Sequence, residues 1–288
     1  MKIYDCFTFF NELDLLEFRL KLLDKYVDYF VLAESNLTHS GKKKEYFYEK
    51  NKDRFQQWHH KIIHLPIVQK TEGLHFGENE TKYNTENGSW KLENEHRNAL
   101  HAIAPQLNKD DLVILSDLDE IPAPSILDNR NAPETPVVLS MLFHYYYLNC
   151  QQTGASKWWK GSILSSGEYF QKHTPQSLRD QRIGLSAIKK GGWHFSFLGG
   201  MEKIKYKLES FAHTEFNKPE YLDEKHIRSA LQEGRDLFKQ NKNRFRFVSI
   251  NTYPEPLRKL AMQYPAFLAP GPASLTTRIR NLFMKNPG

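Results

Sequence analysis

The sequence predicts an α/β fold, a sheet of mostly parallel strands flanked by helices. Strand-length apolar stretches alternate with helical ones from the N-terminus onward, and this β-α-β order is typical of parallel strands joined by crossover helices. The apolar run 112–115 has no polar alternation, which indicates a strand covered on both faces. A chain of 288 residues can form one large domain or one domain with an appendage.

The first elements follow the order strand, helix, strand. Residues 3–9 and 28–34 have the composition of strands, and Asn11 can cap the helix between them, which extends to Tyr26. We therefore expect a parallel pair whose functional edge contains Glu34. The elements predicted next are a helix over 46–58, a strand over 61–65, a long polar loop over 66–89 and a helix over 90–103.

The second half of the chain continues with shorter elements. Those predicted after the central strand are a helix over 123–129, strands over 136–148 and 158–165, a strand bracketed by glycines within 191–200, a helix from 201 and a helix over 219–234. Five prolines follow Tyr253, and a basic amphipathic stretch over 275–285 is suited to peripheral membrane contact. We therefore predict one domain over 1–250 and a tail over 251–288.

Composition excludes several classes of protein. The net charge of +6 is mild for this length and the lysines are scattered among acids, so nucleic acid is not an expected partner. The N-terminus lacks a basic and apolar leader, and no apolar run approaches the roughly 20 residues that span a bilayer. We therefore expect a soluble, cytoplasmic protein whose two cysteines, Cys6 and Cys150, are reduced core residues.

Three carboxylates follow the central strand. Asp117, Asp119 and Glu120 come directly after it, and Pro122 prevents the strand from continuing. Ligands of open α/β sheets bind at the carboxyl edge of the strands, and an Asp-x-Asp pair can converge on one hard cation. We therefore predict a metal or substrate site here, against the alternative of a solvated acidic turn that caps the next helix.

Other candidate ligands stand near this edge or beside glycines. Lys42 belongs to a lysine-rich loop and Arg97 to the helix before the central strand; each can reach a phosphate, although both residue types are common on solvated surfaces. His194 follows two glycines and a tryptophan, and it is either a ligand or a hydrogen-bonded core residue. Trp158 and Trp159 provide either a platform for sugar rings or two core side chains.

Four stretches resemble glycosyltransferase family 17, which includes the N-acetylglucosaminyltransferase that adds the bisecting residue to N-glycans. They are YDCFTFFNELDLL at 4–16, FVLAESN at 30–36, LSDLDEIP at 115–122 and GWHFS at 192–196. The resemblance covers roughly residues 2–234. It implies a GT-A fold, a Rossmann-like mixed sheet flanked by helices, and transfer of N-acetylglucosamine from a UDP-sugar to a glycan hydroxyl with inversion.

The resemblance also implies a metal and a donor site. A diphosphate beside carboxylates requires a cation between them, so Asp117, Asp119 and His194 are the expected ligands of Mn²⁺, or of Mg²⁺. Glu34 and Ser35 are expected near the base or ribose, with Lys42 or Arg97 at the phosphates. The complete predicted donor-binding set is Glu34, Ser35, Lys42, Arg97, Asp117 and Trp193.

Inversion further requires a base that removes the proton of the acceptor hydroxyl. Glu202 is the first candidate because it follows the Gly199-Gly200 turn close in sequence to His194, and Glu120 and Asp180 are the alternatives. The expected acceptor is an oligosaccharide or a glycolipid. Two other functions share these features: a non-catalytic carbohydrate- or nucleotide-sugar-binding protein, and an Asp-x-Asp phosphatase. Every enzymatic reading requires that the acidic side chains face a cleft.

Overall fold

The computed structural model describes residues 1–77, 83–128, 131–154, 156–239 and 243–269. Its centre is one sheet of mixed strand direction with helices packed on both faces, as the sequence predicts. The strands are β1 (Ile3–Phe9), β2 (Tyr29–Ser35), β3 (Ile62–Ile67), β4 (Leu112–Asp117), β5 (Glu120–Pro122), β6 (Val137–Tyr145), β7 (Cys150–Gln152), β8 (Trp158–Ser166), β9 (Ala187–Ser196) and β10 (Phe245–Phe247).

The helices are short, and several are extended by 3₁₀ turns. They are α1 (Leu13–Leu23), α2 (Phe47–Asn51), α3 (Gly88–Asn98), α4 (Pro124–Leu127), α5 (Gly167–Lys172), α6 (Pro175–Gln181), α7 (Met201–Ser210), α8 (Pro219–Leu222), α9 (Glu224–Glu233) and α10 (Glu255–Ala261). The 3₁₀ helices are Lys52–Trp58, Ala99–Gln106, Thr214–Phe216, Ile250–Thr252 and Pro265–Phe267.

Strand direction places four carboxyl ends at one edge of the sheet. β3, β2, β1 and β4 are parallel neighbours in that order, so the segments that follow them emerge together. β8 pairs antiparallel with β4, and β6 pairs antiparallel with β8. β9 pairs parallel with β6 and antiparallel with the short β5, where Glu120 lies opposite His194. The acidic segment after β4 is thereby joined to β9.

Both faces of the central strands are covered. One apolar cluster packs α1, α10 and α4 against the sheet, and a second packs the 3₁₀ helix Ala99–Gln106 with α5 and α6 against the opposite face. β4 is therefore buried from Leu112 to Ser116, which explains its uninterrupted apolar run. Cys6 and Cys150 are buried and free, as expected.

Several predicted helices are divided where local chemistry interrupts them. The helix predicted over 46–58 changes to a 3₁₀ helix at Lys52, with a non-helical residue at Phe55. The helix predicted over 90–103 changes to 3₁₀ geometry shortly before Pro105, which lacks an N–H for an α-helical bond. Asn11 does not cap α1, because Glu12 occupies the N-cap position.

The region beyond residue 250 belongs to the packed core as far as the structure describes it. Tyr253, Leu257 and Phe267 are buried, and α10 packs against α1. The predicted boundary at residue 250 therefore does not mark the edge of the core. The basic stretch over 275–285, to which we assigned membrane contact, lies outside the described residues. Among the described helices, none has the length and apolarity required to cross a bilayer.

Candidate active site

A cavity of about 840 Å³ opens at the carboxyl edge of β1 and β4. Its volume lies within the usual range for small-molecule sites. Charged residues in its wall are Glu12, Glu93, Arg97, Asp117, Asp119, Arg179, Asp180, Arg182 and Lys207. Aromatic residues in its wall include Tyr83, Trp90, Phe143, Trp158, Trp159, Phe211 and Phe216. The cavity therefore combines a charged region with apolar ring faces.

The acidic segment is shaped by a fully buried arginine of α1. The Nε and Nη2 of Arg19 donate hydrogen bonds of 2.8 and 2.6 Å to the two carboxylate oxygens of Asp5 on β1. Its Nη1 donates to the backbone carbonyls of Asp117, Leu118 and Glu120 at 3.2, 3.0 and 2.8 Å. Three carbonyls that would otherwise be buried without donors are satisfied. The segment therefore bends around one guanidinium at the end of β4.

Asp117 faces the cavity between two arginines. Its Oδ1 accepts from the Nη2 of Arg97 at 3.1 Å, and its Oδ2 accepts from the Nη2 of Arg179 at 2.8 Å. Burial alone would raise the pKa of Asp117, but Arg179 and Arg97 overcome that effect and hold the pKa well below its usual range. Arg97 also pairs with Glu93 at 2.9 Å. Asp117 is therefore an anion whose oxygens are both bonded to cations.

Glu120 lies behind Asp117 and is fully buried. Its Oε1 accepts from the Nε1 of Trp159 at 2.6 Å and from Arg179 at 2.7 Å, and its Oε2 accepts from Arg179 at 2.8 Å. A glycine at 161 leaves room for this carboxylate, because a Cβ there would lie 2.5 Å from the sulfur of Met141 and 3.2 Å from the Cδ of Glu120. The side chain is thus enclosed, which argues against the catalytic role predicted for it and favours a role in positioning Arg179.

Asp119 also faces the cavity, on the side of α7 and β9. Its Oδ2 accepts from the Nζ of Lys207 at 2.9 Å, and its Oδ1 lies 3.4 Å from the Nε2 of His194. Burial alone would raise the pKa of Asp119, but Lys207 and His194 hold it well below its usual range. The His194 ring stacks on Phe143, with centroids 4.9 Å apart and planes 13° apart. The pairing of β5 with β9 thus brings the predicted Asp119 and His194 together.

Asp119 and His194 suit a divalent cation better than Asp117 does. Two ligands of one octahedral ion are about 3 Å apart, and the facing atoms of Asp119 and His194 are 3.4 Å apart. The oxygens of Asp117 are occupied by guanidiniums that would repel such an ion. Within the described ranges, no group of three or more His, Cys, Asp or Glu side chains is arranged to hold a metal. Further ligands would have to come from substrate or water.

Two predicted donor residues at the end of β2 point away from the cavity. Glu34 is fully buried, where it accepts from the backbone N–H of Tyr48 at 3.2 Å and lies 3.0 Å from the Nε2 of His64. Ser35 donates from its Oγ to Gln69 at 2.6 Å and is also fully buried. Both side chains stabilise the junction of β2 with its neighbours, and neither is among the residues that line the cavity.

Three more predicted residues lie outside the cavity wall. Lys42 is exposed in its loop, and Trp193 is buried in the main apolar cluster with only 5% of its surface accessible. Glu202 is exposed in the first turn of α7. Since the cavity is the only large cleft that contains the acidic segment among the described residues, Glu202 is poorly placed to act as the base.

The sequence interpretation missed most of the cations at the site. Arg179 and Arg182 come from α6 and the residue that follows it, and Lys207 comes from α7. One local signal was present: Gln176, Arg179 and Asp180 have the spacing of neighbours on one helix face. Their approach to Asp117 and Glu120, about 60 residues away, is a tertiary contact that no local spacing indicates.

Comparison with known proteins identifies a family. The family model described as glycosyltransferase family 17 matches residues 1–273. A search of curated proteins finds no match to the chain. The matched region contains every strand and helix of the sheet and all the residues that line the cavity.

Proposed function

The chain belongs to glycosyltransferase family 17, and on that basis we propose that it transfers N-acetylglucosamine from a UDP-sugar to a hydroxyl group of an oligosaccharide or glycolipid, with inversion at the anomeric carbon. Transfer of a glycosyl group follows from the family. The choice of sugar and the stereochemistry rest on the sequence resemblance. The cavity geometry supports a donor that carries a diphosphate.

The observation that carries this proposal is the convergence of cations on the acidic segment. Arg97, Arg179, Arg182 and Lys207 all line one cavity, which opens where parallel strands end. Arginine forks match the paired oxygens of phosphates, and they act strongly in a cavity from which much of the water is excluded. This end of the cavity therefore suits the diphosphate of a sugar nucleotide.

We propose Mn²⁺, or Mg²⁺, as the cofactor. Asp119 and His194 would hold it, since their facing atoms are 3.4 Å apart and both lie on the cavity wall. When bound, the ion would supply Lewis-acid stabilisation of the charge that develops on the departing UDP. Lys207 shares Asp119, with its Nζ 2.9 Å from the second carboxylate oxygen, and keeps that side chain directed toward the cavity.

Asp180 is the carboxylate best placed to act as the base. It lines the cavity, and its Oδ1 accepts from the Nε2 of Gln176 at 2.8 Å, which orients it. No Lys or Arg that the structure describes forms an ion pair with it, whereas Asp117 and Asp119 are held by cations. Glu12 also lines the cavity, but it stands at the N-cap of α1, where the helix dipole reduces its basicity.

The acceptor has an aromatic surface available to it. Trp158 and Tyr83 line the cavity and are 38% and 48% exposed. Flat apolar ring faces of this kind can pack against the C–H face of a sugar. We propose that the acceptor glycan binds along this side, with its reactive hydroxyl directed toward Asp180.

Incubation of the purified protein with a panel of UDP-sugars and Mn²⁺ tests the proposal. We expect release of UDP from UDP-N-acetylglucosamine, slowly to water and faster when a suitable glycan is added. NMR of the transfer product would then give its anomeric configuration, which we expect to be opposite to that of the donor. Absence of UDP release from every UDP-sugar, with and without acceptors, would count against the proposed donor.

A further inference from the structure

Arg182 differs from the other cations of the cavity in having no carboxylate partner. Arg97 pairs with Asp117, Arg179 pairs with Asp117 and Glu120, and Lys207 pairs with Asp119; the closest contacts are listed in that order as 3.1, 2.8, 2.7 and 2.9 Å. Arg182 forms no ion pair with any residue in the described ranges. It nevertheless lines the same cavity.

The Arg182 side chain is held in place without being satisfied. Its guanidinium carbon lies 5.5 Å from the ring centroid of Trp159, within the range of a cation–π contact. Trp159 is itself fixed by the hydrogen bond from its Nε1 to Glu120. The Nε of Arg182 is buried, and no acceptor among the described residues bonds to it. A fixed guanidinium with unused donors is suited to an incoming anion.

The surrounding charges favour the same conclusion. Burial, and next the charge of Arg179, lower the pKa of Arg182, whereas Glu120 and Asp117 act in the opposite direction from a distance. The cationic form of Arg182 is therefore less stable here than in water. An anion beside it would remove that cost, while Arg179 is already neutralised by its two carboxylates.

We infer that Arg182 binds the diphosphate of the sugar nucleotide, donating hydrogen bonds from its guanidinium to anionic phosphate oxygens. The inference rests on the proposed UDP-sugar donor and adds a division of labour among the cations. Arg97 and Arg179 position the carboxylates of the acidic segment, and Arg182 contacts the substrate. A diphosphate on a lipid-linked acceptor has the same chemistry, so the test must separate the two sources.

The test compares Arg182→Gln with a matched control, Arg228→Gln, which removes the same charge from an exposed position on α9. UDP, uridine and inorganic pyrophosphate are titrated into each protein by calorimetry or ligand-observed NMR, without divalent cations so that chelation does not contribute. Thermal unfolding of each variant verifies that it is folded. Arg182→Lys is included because it keeps the charge but not the two-pronged donor geometry.

We expect Arg182→Gln to weaken UDP and pyrophosphate binding by roughly ten- to a hundredfold, the value of a charged hydrogen bond. Uridine binding should be unchanged, Arg182→Lys should be intermediate, and Arg228→Gln should match the unaltered protein. Equal UDP binding by Arg182→Gln, or an equal loss of uridine binding, would overturn the inference, as would absence of UDP and pyrophosphate binding to the unaltered protein.

Two outcomes separate this inference from the proposed function. If Arg182→Gln weakens pyrophosphate binding but not UDP binding, the anion bound by Arg182 is not that of the donor, and the inference is wrong while the UDP-sugar proposal stands. If the unaltered protein binds pyrophosphate through Arg182 but shows no affinity for UDP, the proposed donor is wrong, and the assignment of Arg182 to that donor fails with it.

Discussion

The Nη1 of Arg19 donates a hydrogen bond of 2.8 Å to the backbone carbonyl of Glu120, a residue 101 positions further along the chain. The same guanidinium pairs with Asp5 through two hydrogen bonds and is fully buried. The first helix therefore fixes the segment that carries the acidic side chains of the cavity. This contact joins the stability of the fold to the geometry of the site.

Replacement of Arg19 by Met should therefore destabilise the protein strongly. It would leave the Asp5 carboxylate buried without a cation and three carbonyls without donors. We expect the free energy of unfolding, measured with urea, to fall by about 3–5 kcal/mol. Arg54→Met, which removes a partly exposed arginine that pairs with Glu17, provides the control and should cost less than about 1 kcal/mol. A similar small loss for Arg19→Met would contradict the assigned role.

Glu120→Gln should reduce stability and activity without changing the pH profile of the activity. The variant keeps the size of the side chain but weakens two charged hydrogen bonds from Arg179, so we expect a loss of roughly 2–3 kcal/mol in unfolding free energy. Measurement of kcat/KM against pH decides between the roles. If Glu120 were the base, the acid limb of the profile would disappear in this variant.

Asp180→Asn should abolish transfer while leaving donor binding intact. We expect kcat to fall by about 10²- to 10⁴-fold, the usual contribution of a general base, with little change in the affinity for UDP. Glu202→Gln serves as the matched control, because Glu202 is an exposed carboxylate outside the cavity. Normal kcat in Asp180→Asn, or loss of kcat in the Glu202 variant, would reverse the assignment.

His96 should make the protein less stable as the pH falls. Burial, and next the charge of His39, lower the pKa of His96 to about 3 in the folded state. Below about pH 6.5 the unfolded chain takes up a proton that the folded chain does not, so stability decreases by about 1.4 kcal/mol per pH unit and levels off near pH 3. The depressed carboxylate pKa values act in the same direction, so the slope of the unaltered protein is steeper still.

The variant His96→Gln isolates this contribution. Glutamine can keep the hydrogen bond that the ring Nε2 makes to the carbonyl of Ala33 at 2.9 Å, but it does not titrate. Urea unfolding at several pH values between 6 and 4 should give a slope smaller by about 1.4 kcal/mol per pH unit than in the unaltered protein. The exposed His60→Gln should retain the full slope. Parallel curves for His96→Gln and the unaltered protein would show that His96 is not responsible.

The central part of the fold follows from local sequence patterns. β1 lies where its apolar run predicts it, and β4 is the doubly covered strand that its unbroken composition indicates. The parallel order of β1 and β2 follows from the helix between them. The interruptions at Phe55 and before Pro105 were harder to foresee, because each depends on how the segment packs as well as on its periodicity.

The site was predictable only where strand ends determine it. Asp117 and Asp119 face the cavity because they follow a strand whose carboxyl end opens there, and His194 joins them because β9 pairs with β5. Glu34 also ends a strand, yet its side chain points into the packing between β2 and α2. Direction at a strand end depends on one residue of register, which the sequence alone does not specify. The tertiary approach of Arg179 had no local signal at all.

The central claim is that the carboxylate of Asp119 supports metal-dependent binding of a sugar nucleotide. Calorimetric titration of UDP-N-acetylglucosamine, with and without Mn²⁺, tests it most directly when Asp119→Asn is compared with the unaltered protein and with the exposed-site variant Glu202→Gln. We predict that Mn²⁺ strengthens donor binding in the unaltered protein and in Glu202→Gln, and that this effect is lost in Asp119→Asn. Donor binding that responds equally to Mn²⁺ in all three proteins would contradict the account.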